Sequence, residues 1–240
     1  MIDFGIFRAD GEREYYEDYA TCRILDDRAC FIVNDGLGGH GKGDVASELA
    51  AKSILEIFDN HYNRNSFFLD AMTRAESELE KEQMRLGIRS AMKTTSVILV
   101  IENGMARWCH IGDTRLYLFR KGKIITRTQD HSVPQMLVAS GDLKESKIRF
   151  HEDRNKLLKV LGDSSREIQP DLSDPISIEE STSFLLCTDG FWEWIDERQI
   201  QKFAKKSKTA NEWVNDMGKY VITCGKGKNM DNATAITVRL

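Results

Sequence analysis

Proline and long apolar runs are scarce in this sequence, and no excess of basic charge is present. Only three prolines occur in 240 residues, and the 17 glycines are scattered, so long disordered linkers and collagen-like repeats are not expected. No apolar run approaches the roughly 18 residues of a membrane-spanning helix. Because 34 Lys and Arg stand against 38 Asp and Glu, the net charge is −4, which argues against a nucleic-acid-binding protein.

The sequence also lacks the cysteine pattern of a zinc site or a disulfide framework. Its five cysteines are widely spaced and form no Cys-x-x-Cys pair. Six charged residues among the first 14 leave no room for the apolar core of a signal peptide. We therefore expect a cytoplasmic protein without membrane association, in which residues 1–240 form one large domain with a substantial core.

The order of strand-like and helix-like segments predicts an α+β fold. Short β-leaning runs fill the first 35 residues, and helices are predicted from about Asp44, as the cap, and over 66–86. Four strand-like runs between residues 95 and 126 are joined by short turns, which is typical of a meander. A buried strand at 184–187, two helices and a closing strand at 233–238 follow. We expect two antiparallel sheets flanked by helices.

Two segments run an apolar strand into a polar residue followed by Asp-Gly. One reads CFIVNDG and carries Asp35, and the other reads FLLCTDG and carries Asp189. The strand fixes the position of the carboxylate, and the glycine lets the backbone turn sharply beside it. Asp113 and Asp231 also lie next to predicted strands.

Each Asp-Gly pair alone is most simply a turn. Four carboxylates that each adjoin a buried strand are harder to explain as turns. Hard divalent cations bind several oxygen ligands, and strand ends that converge on one point supply them. The pattern therefore favours a cation site, although composition alone leaves open whether the four strand ends meet.

The loop after the first of these strands suggests an alternative function. It reads DGLGGHGKG between a strand and a helix, and Gly36, Gly41 and Lys42 match a nucleotide-binding P-loop. Gly43 stands where that loop needs a Ser or Thr hydroxyl for magnesium. The predicted meander also disfavours the parallel sheet of such proteins, so nucleotide binding is the less favoured interpretation.

Eight short segments occur in a fixed order across nearly the whole chain. They are Arg13-x-x-Tyr16-Glu17-Asp18, Asp35-Gly36-Leu37-Gly38-Gly39-His40 with Gly43, Met92-Lys93-Thr94-Thr95, Ile111-Gly112-Asp113-Thr114-Arg115, Asp130-His131-Ser132, Leu157-x-x-x-Leu161-Gly162, Leu185-Leu186-Cys187-Thr188-Asp189-Gly190 and Asp231-Asn232-x-Thr234. In this order they resemble the metal-dependent Ser/Thr protein phosphatases, the PPM or type 2C family, in their compact bacterial form. Each motif is weak alone, but eight in order are specific.

The resemblance implies a four-layer α-β-β-α sandwich of two antiparallel β-sheets flanked by helices. It also implies a centre that holds two manganese or magnesium ions, with a weaker third site. By position, Asp35 would bridge both metals and the carbonyl of Gly36 would contact one of them. Asp189 and Asp231 would complete the other.

Further roles are implied by the same resemblance. Asp18, and less directly Glu17, would hold metal-bound waters, and Asp113, with Asp189, matches the third-metal site. Arg13 would bind the substrate phosphate. His40 is either the general acid for the leaving alkoxide or a residue that orders the glycine-rich turn, and the sequence leaves both interpretations open.

The implied activity is metal-dependent hydrolysis of phosphoserine and phosphothreonine in proteins by a hydroxide that two metals activate, in opposition to a Ser/Thr kinase. Its partners would be phosphorylated proteins, with the enzyme itself a monomer. A pseudophosphatase would keep the fold as a binding module, but such proteins typically lose metal carboxylates, and all are present here.

Three regions concern substrate choice rather than the metals. Residues 141–156 match a variable flap-like loop of the family, expected to touch substrate protein. Tyr16 replaces the Asn usual before the Glu-Asp pair, and Lys93 replaces a usual Gly. Neither replacement is a predicted metal ligand, so we expect activity to survive and substrate preference to be affected.

Overall fold

The structure is a computed structural model that describes residues 2–38, 42–88, 91–163, 165 and 167–240. Its strands are β1 (Asp3–Ala9), β2 (Asp18–Ile24), β3 (Arg28–Leu37), β4 (Lys93–Thr94), β5 (Ser96–Glu102), β6 (Met105–Ile111), β7 (Arg115–Arg120), β8 (Lys123–Arg127), β9 (Asp171–Leu172), β10 (Ile176–Ser177), β11 (Thr182–Cys187) and β12 (Ala233–Arg239). Its helices are α1 (Gly43–Asn60), α2 (Phe67–Leu86), α3 (Val133–Ser140), α4 (Asp189–Trp192), α5 (Glu197–Lys206) and α6 (Ala210–Gly225), with a 3₁₀ helix at Glu145–Phe150.

The strands form two antiparallel sheets. Sheet A has the order β1-β12-β11-β7-β8, and sheet B has the order β10-β6-β5-β3-β2, with β9 beside β6 and β4 beside β3. Helices α1 and α2 pack on the outer face of sheet B, whereas α5 and α6 pack on sheet A. The four-layer α-β-β-α sandwich that the family resemblance implied is confirmed.

Strand β3 shows why the sequence of a central strand reads as one apolar run. Cys30 and Ile32 face the core under α1 and α2, whereas Phe31 and Val33 face the core between the two sheets. Successive side chains of a strand point to opposite faces. Because both faces of sheet B are covered, both sets must be apolar, and the strand delivers Asp35 at its end to a fixed place.

The helix boundaries follow the sequence closely, with one correction. Helix α2 ends before Gly87, which adopts a φ of 71° and caps the helix. Asp44 was expected to be the N-cap of α1, but Lys42 holds that position and Asp44 lies in the first turn. A carboxylate in the first turn interacts favourably with the positive end of the helix dipole, which explains why the sequence pattern resembled a cap. Among the described residues, no helix combines the length and hydropathy needed to span a membrane.

The predicted meander between residues 95 and 126 is wrong as a single sheet. Strands β5 and β6 pair in sheet B, whereas β7 and β8 pair in sheet A. The chain crosses between the sheets at Gly112, whose φ of +97° is unfavourable for other residues. Alternation of apolar residues is the same in either sheet, so the sequence could not show the crossing.

An ion pair beside this crossing is fully buried. Arg115 donates from Nε and Nη2 to the two carboxylate oxygens of Asp130 at 2.8 and 2.6 Å, and the side chains are 3% and 1% exposed. The guanidinium also lies 3.5 Å from the ring centroid of Trp192. Removing one partner of such a pair leaves an uncompensated buried charge.

We therefore expect Asp130→Asn to lower the free energy of unfolding by about 3–5 kcal/mol, measured by urea denaturation. Asp27→Asn is the matched control, because its pair with Arg28 involves a carboxylate that is 59% exposed. Exposed pairs contribute at most about 1 kcal/mol. An equal loss of unfolding free energy in the two variants would contradict the conclusion that burial makes the Arg115–Asp130 pair important for stability.

Candidate active site

A cleft of about 530 Å³ opens where strands of both sheets end. Seven of the residues to which the sequence gave a role at the site line this cleft, namely Arg13, Glu17, Asp35, Gly36, Asp113, Asp189 and Asp231. They are contributed by the end of β3, the start of α4 just after β11, the turn between β6 and β7, and the segments before β2 and β12. The strand ends that the sequence could only place separately are therefore brought together.

One described site residue of the prediction, Asp18, is not part of this lining. Asp18 is 5% exposed and lies directly across from Asp35 in the β2–β3 pairing. Its carboxylate accepts a hydrogen bond from Oγ1 of Thr188 at 2.9 Å, so it is buried beside the cleft and does not line it. His40 falls outside the described residues, so both interpretations of it stay predictions.

The backbone of Asp35 is fixed by the Thr94-Thr95 pair. Its N–H donates to Oγ1 of Thr95 at 3.1 Å, and its carbonyl accepts from Oγ1 of Thr94 at 2.8 Å and from the Thr95 N–H at 2.9 Å. These bonds hold the end of β3 while leaving its carboxylate free for the cleft. The threonines of the third motif therefore act as a support for the first carboxylate.

Glycine is required next to Asp35 because the backbone is crowded there. A Cβ atom at Gly36 would overlap the carbonyl oxygen of Gly43 at the start of α1. The Gly36 N–H donates to the carbonyl of Glu17 at 3.1 Å. The Asp-Gly pair of the sequence thus reflects close packing of three chain segments and is more than a turn.

Hydrogen bonds between Thr188 and Thr234 hold together the two chain segments that carry Asp189 and Asp231. The Thr188 N–H donates to the carbonyl of Thr234, and the Thr234 N–H donates to Oγ1 of Thr188, both at 3.1 Å. A Cβ at Gly190 would overlap the carbonyl oxygen of Asn232. The two carboxylates therefore start from neighbouring backbone positions.

Asn232 is a positioning residue to which sequence reasoning gave no role beyond its motif. Its Oδ1 accepts from the Glu17 N–H at 2.7 Å, and its Nδ2 donates to the carbonyl of Asp10 at 2.8 Å. The side chain thus joins the segment before β2 to the segment before β12. Its position directly after Asp231 is the only signal that the sequence offers.

Arg13 and Asp231 face each other in the cleft. Nε and Nη2 of Arg13 donate to the two carboxylate oxygens at 3.0 and 2.9 Å, and both side chains are 40% exposed. This parallel geometry is the one in which a guanidinium binds a carboxylate or a phosphate. A cation bound by Asp231 and a phosphate bound by Arg13 would each compete with this pair.

The buried carboxylates at the cleft have too few positive charges near them to balance their negative charge. Burial, together with the charges of neighbouring carboxylates, raises the pKa of Asp18, Asp35 and Asp113 well above the usual range. For Asp189, burial and the charges of Glu193 and Asp231 raise the pKa to about 7. A divalent cation would supply the missing charge, and an all-oxygen donor set is the kind that Mn²⁺ and Mg²⁺ bind. The residues therefore fit such a metal.

Helix α4 adds two contacts that the sequence did not indicate. Nε1 of Trp192 donates to the carbonyl of Asp113 at 3.0 Å, which fixes the turn between the sheets. Glu193 lies four residues after Asp189, one helical turn away, and accepts from Nε of Arg154 at 2.6 Å. Helical spacing after Asp189 is the signal that could have placed Glu193 near the carboxylates.

The predicted flap-like loop reaches the cleft at one residue, Asn155. Its 3₁₀ helix is anchored by Arg149, whose Nη1 donates to the carbonyls of Trp192 and Ile195 at 3.0 and 2.7 Å. The two departures from the family pattern lie outside the cleft lining. Tyr16 hydrogen-bonds to Thr234, and Lys93 lies 3.4 Å from Asp163.

Comparison with known proteins agrees with this geometry. The family described as Protein phosphatase 2C matches residues 11–225. The chain belongs to this family. The serine/threonine phosphatase stp of Listeria monocytogenes is 27% identical over 200 residues, which cover 78% of this chain and 76% of that protein. The resemblance seen in the sequence motifs is confirmed, and with it the enzyme class of a protein-serine/threonine phosphatase.

Solved structures show the same fold. The Mycobacterium tuberculosis serine/threonine phosphatase PstP/Ppp superposes with a TM-score of 0.87 at 22% identity, covering 100% of this chain and 98% of that one. A PstP catalytic domain in complex with two manganese ions has a TM-score of 0.84 at 21% identity, with 99% and 97% covered. The four-layer sandwich is thus shared with protein phosphatase 2C enzymes.

Proposed function

We propose that this phosphatase hydrolyses phosphoserine and phosphothreonine in proteins at the cleft, using two manganese or magnesium ions, and that it opposes a Ser/Thr kinase. The observation that carries the proposal is the convergence of Asp35, Asp113, Asp189 and Asp231 beside Arg13. The manganese-bound PstP structure supports the choice of metal. Phosphorylated proteins would be its partners, and we expect a monomer.

The carboxylates of Asp35, Asp189 and Asp231 and the carbonyl of Gly36 would hold the two ions. When bound, the ions supply the positive charge that neutralises the phosphate dianion and activates the attacking water. Asp113 would belong to a weaker third site. Asp18 is buried beside Asp35 and does not line the cleft, which supports an indirect role, through water, rather than direct coordination.

Arg13 would orient the substrate. Its planar fork can bind two phosphate oxygens at once, which a lysine could not reproduce. In the structure Asp231 already holds this fork at the cleft, with the guanidinium partly exposed. The leaving alkoxide needs a proton, and His40 stays the proposed donor.

The test is a phosphothreonine peptide assay after metal removal and after return of Mn²⁺. We expect turnover to disappear with a chelator and to return with Mn²⁺, because the ions provide several kcal/mol of transition-state stabilisation. Asp231→Asn should lower kcat by about 100-fold or more while the circular dichroism spectrum is unchanged.

Lys42→Ala is the matched control for this assay. Lys42 is exposed just before α1 and lies outside the cleft lining. We expect its kcat to stay within about twofold of the parent, since surface changes away from the site have small effects. Loss of function in Lys42→Ala, with tight ATP binding by the parent, would instead support the P-loop alternative.

A further inference from the structure

His131 contacts Gly112 through two hydrogen bonds. The His131 N–H donates to the Gly112 carbonyl at 2.9 Å, and the Gly112 N–H donates to Nδ1 of His131 at 3.2 Å. Gly112 has a φ of +97° and directly precedes Asp113. Both polar backbone groups of the turn residue are therefore held by one histidine.

The other side of the imidazole faces a carboxylate without a well-aligned hydrogen bond to it. Nε2 of His131 lies 3.3 Å from Oδ1 of Asp171, which is itself 3.4 Å from Nζ of Lys159. The ring stacks on His110, with centroids 4.7 Å apart. His131 is 8% exposed, so the ring has little freedom to turn away from Gly112.

The hydrogen bond from the Gly112 N–H to Nδ1 defines the tautomer of His131. Burial and the neighbouring charges of His110 and Lys159 lower its pKa to about 4, so the ring is neutral near pH 7. A neutral imidazole has one acceptor nitrogen and one donor nitrogen. Nδ1 accepts from Gly112, and the proton therefore lies on Nε2, facing Asp171.

A metal site is the competing interpretation of this group, because ligand atoms of His110, His131 and Asp171 lie within 4.8 Å of one another. Coordination by Nε2 of His131 would require the proton on Nδ1, where it would face the Gly112 N–H. The two rings are also nearly parallel, at 18°, so their in-plane lone pairs do not converge. The hydrogen bonds between His131 and Gly112 therefore favour a role for His131 in supporting the turn rather than in binding a metal.

We propose that His131 is a positioning residue that sets the place of the Asp113 carboxylate by holding Gly112. The inference rests on the proposed role of Asp113 in the weaker metal site. Trp192 holds the carbonyl of Asp113 from the other side, at 3.0 Å. With the backbone fixed on both sides of Asp113, its carboxylate stays directed into the cleft that it lines.

His131→Asn and His131→Gln test this role with the same amide group at two lengths. The Oδ1 of Asn takes about the place of Nδ1 and can accept from Gly112, whereas the amide of Gln extends toward the Nε2 position. We expect Asn to keep the weaker Mn²⁺-binding event measured by calorimetry and Gln to weaken it about tenfold, as for other supporting contacts of metal ligands. Hydrogen exchange of the Gly112 amide should be slow in the parent and in Asn and fast in Gln.

Nitrogen NMR of the parent should show His131 protonated on Nε2. Protonation on Nδ1 would overturn the proposal, as would equal Mn²⁺ binding by the Asn and Gln variants. A parent that hydrolyses the peptide with Mn²⁺ while the two variants bind Mn²⁺ alike would refute the role of His131 alone. A parent with no Mn²⁺-dependent turnover would refute the proposed function first.

Discussion

Replacement of Asp35 by Asn is expected to lower kcat on a phosphothreonine peptide by about 1,000-fold, equivalent to about 4 kcal/mol of transition-state stabilisation. Asn is nearly isosteric, and the backbone of this residue is held by Thr94 and Thr95. The change therefore removes one negative charge from the cleft while leaving its shape. An amide is a poor substitute for a carboxylate between two cations.

The same substitution should not lower the free energy of unfolding of the metal-free protein, so its effect on activity is distinct from a loss of folding. Because burial and neighbouring carboxylates raise the pKa of Asp35, its ionised form is disfavoured in the metal-free protein. We expect Asp35→Asn to unfold in chelator at a urea concentration equal to or above that of the parent. Loss of activity with retained stability separates a site residue from a structural one.

Asp44→Asn is the matched control, since it removes the same charge from an exposed position in the first turn of α1. Its kcat should remain near that of the parent. A near-normal rate in Asp35→Asn, or a loss of similar size in both variants, would refute the assignment of Asp35 to the metals.

In chelator, the free energy of unfolding should fall as the pH rises from about 4 to about 7. Mn²⁺ should remove most of this pH dependence. The pKa of Asp189 is about 7 in the folded protein, against an ordinary value of 3.8. The folded state therefore retains a proton that the unfolded chain loses, and stability is lost as the pH rises through this interval. At 1.36 kcal/mol per pKa unit, Asp189 alone contributes a loss of up to about 4 kcal/mol.

The measurement is urea denaturation at several pH values, with chelator or with Mn²⁺, for the parent and Asp189→Asn. The difference between the two proteins isolates Asp189 from other titrating groups. We expect a difference that grows with pH in chelator, whereas Mn²⁺ should stabilise the parent because a cation bound by the folded state shifts the equilibrium. Parallel pH profiles in chelator would contradict the charge imbalance described for the cleft.

Local patterns in the sequence were sufficient for most of the fold. The apolar run that ends at Asp35 and the one that ends at Asp189 are β3 and β11, and the helix predicted over 66–86 is α2 (Phe67–Leu86). These elements could be predicted because their sequence signals are short-range: alternation of apolar and polar residues, helical spacing and a glycine cap at Gly87. The carboxylates at strand ends could be recognised for the same reason.

What the sequence could not show depends on contacts between distant segments. Apolar and polar residues alternate in the same way in both sheets, so the sequence pattern could not reveal that the chain crosses between them at Gly112. The pairing of Arg13 with Asp231 joins residues near opposite ends of the chain. The burial of Asp18 beside Asp35 likewise depends on how β2 and β3 align.

Strand β12 lies between β1 and β11 in the interior of sheet A, and Asp231 lies two residues before its start. During synthesis, β1 and β11 therefore cannot be joined in sheet A until β12, the strand between them, has been made. Contacts across such a long separation slow folding. A nascent chain that stops before β12 would have neither a complete sheet A nor a complete cleft, so catalytic competence requires that β12 has been synthesised.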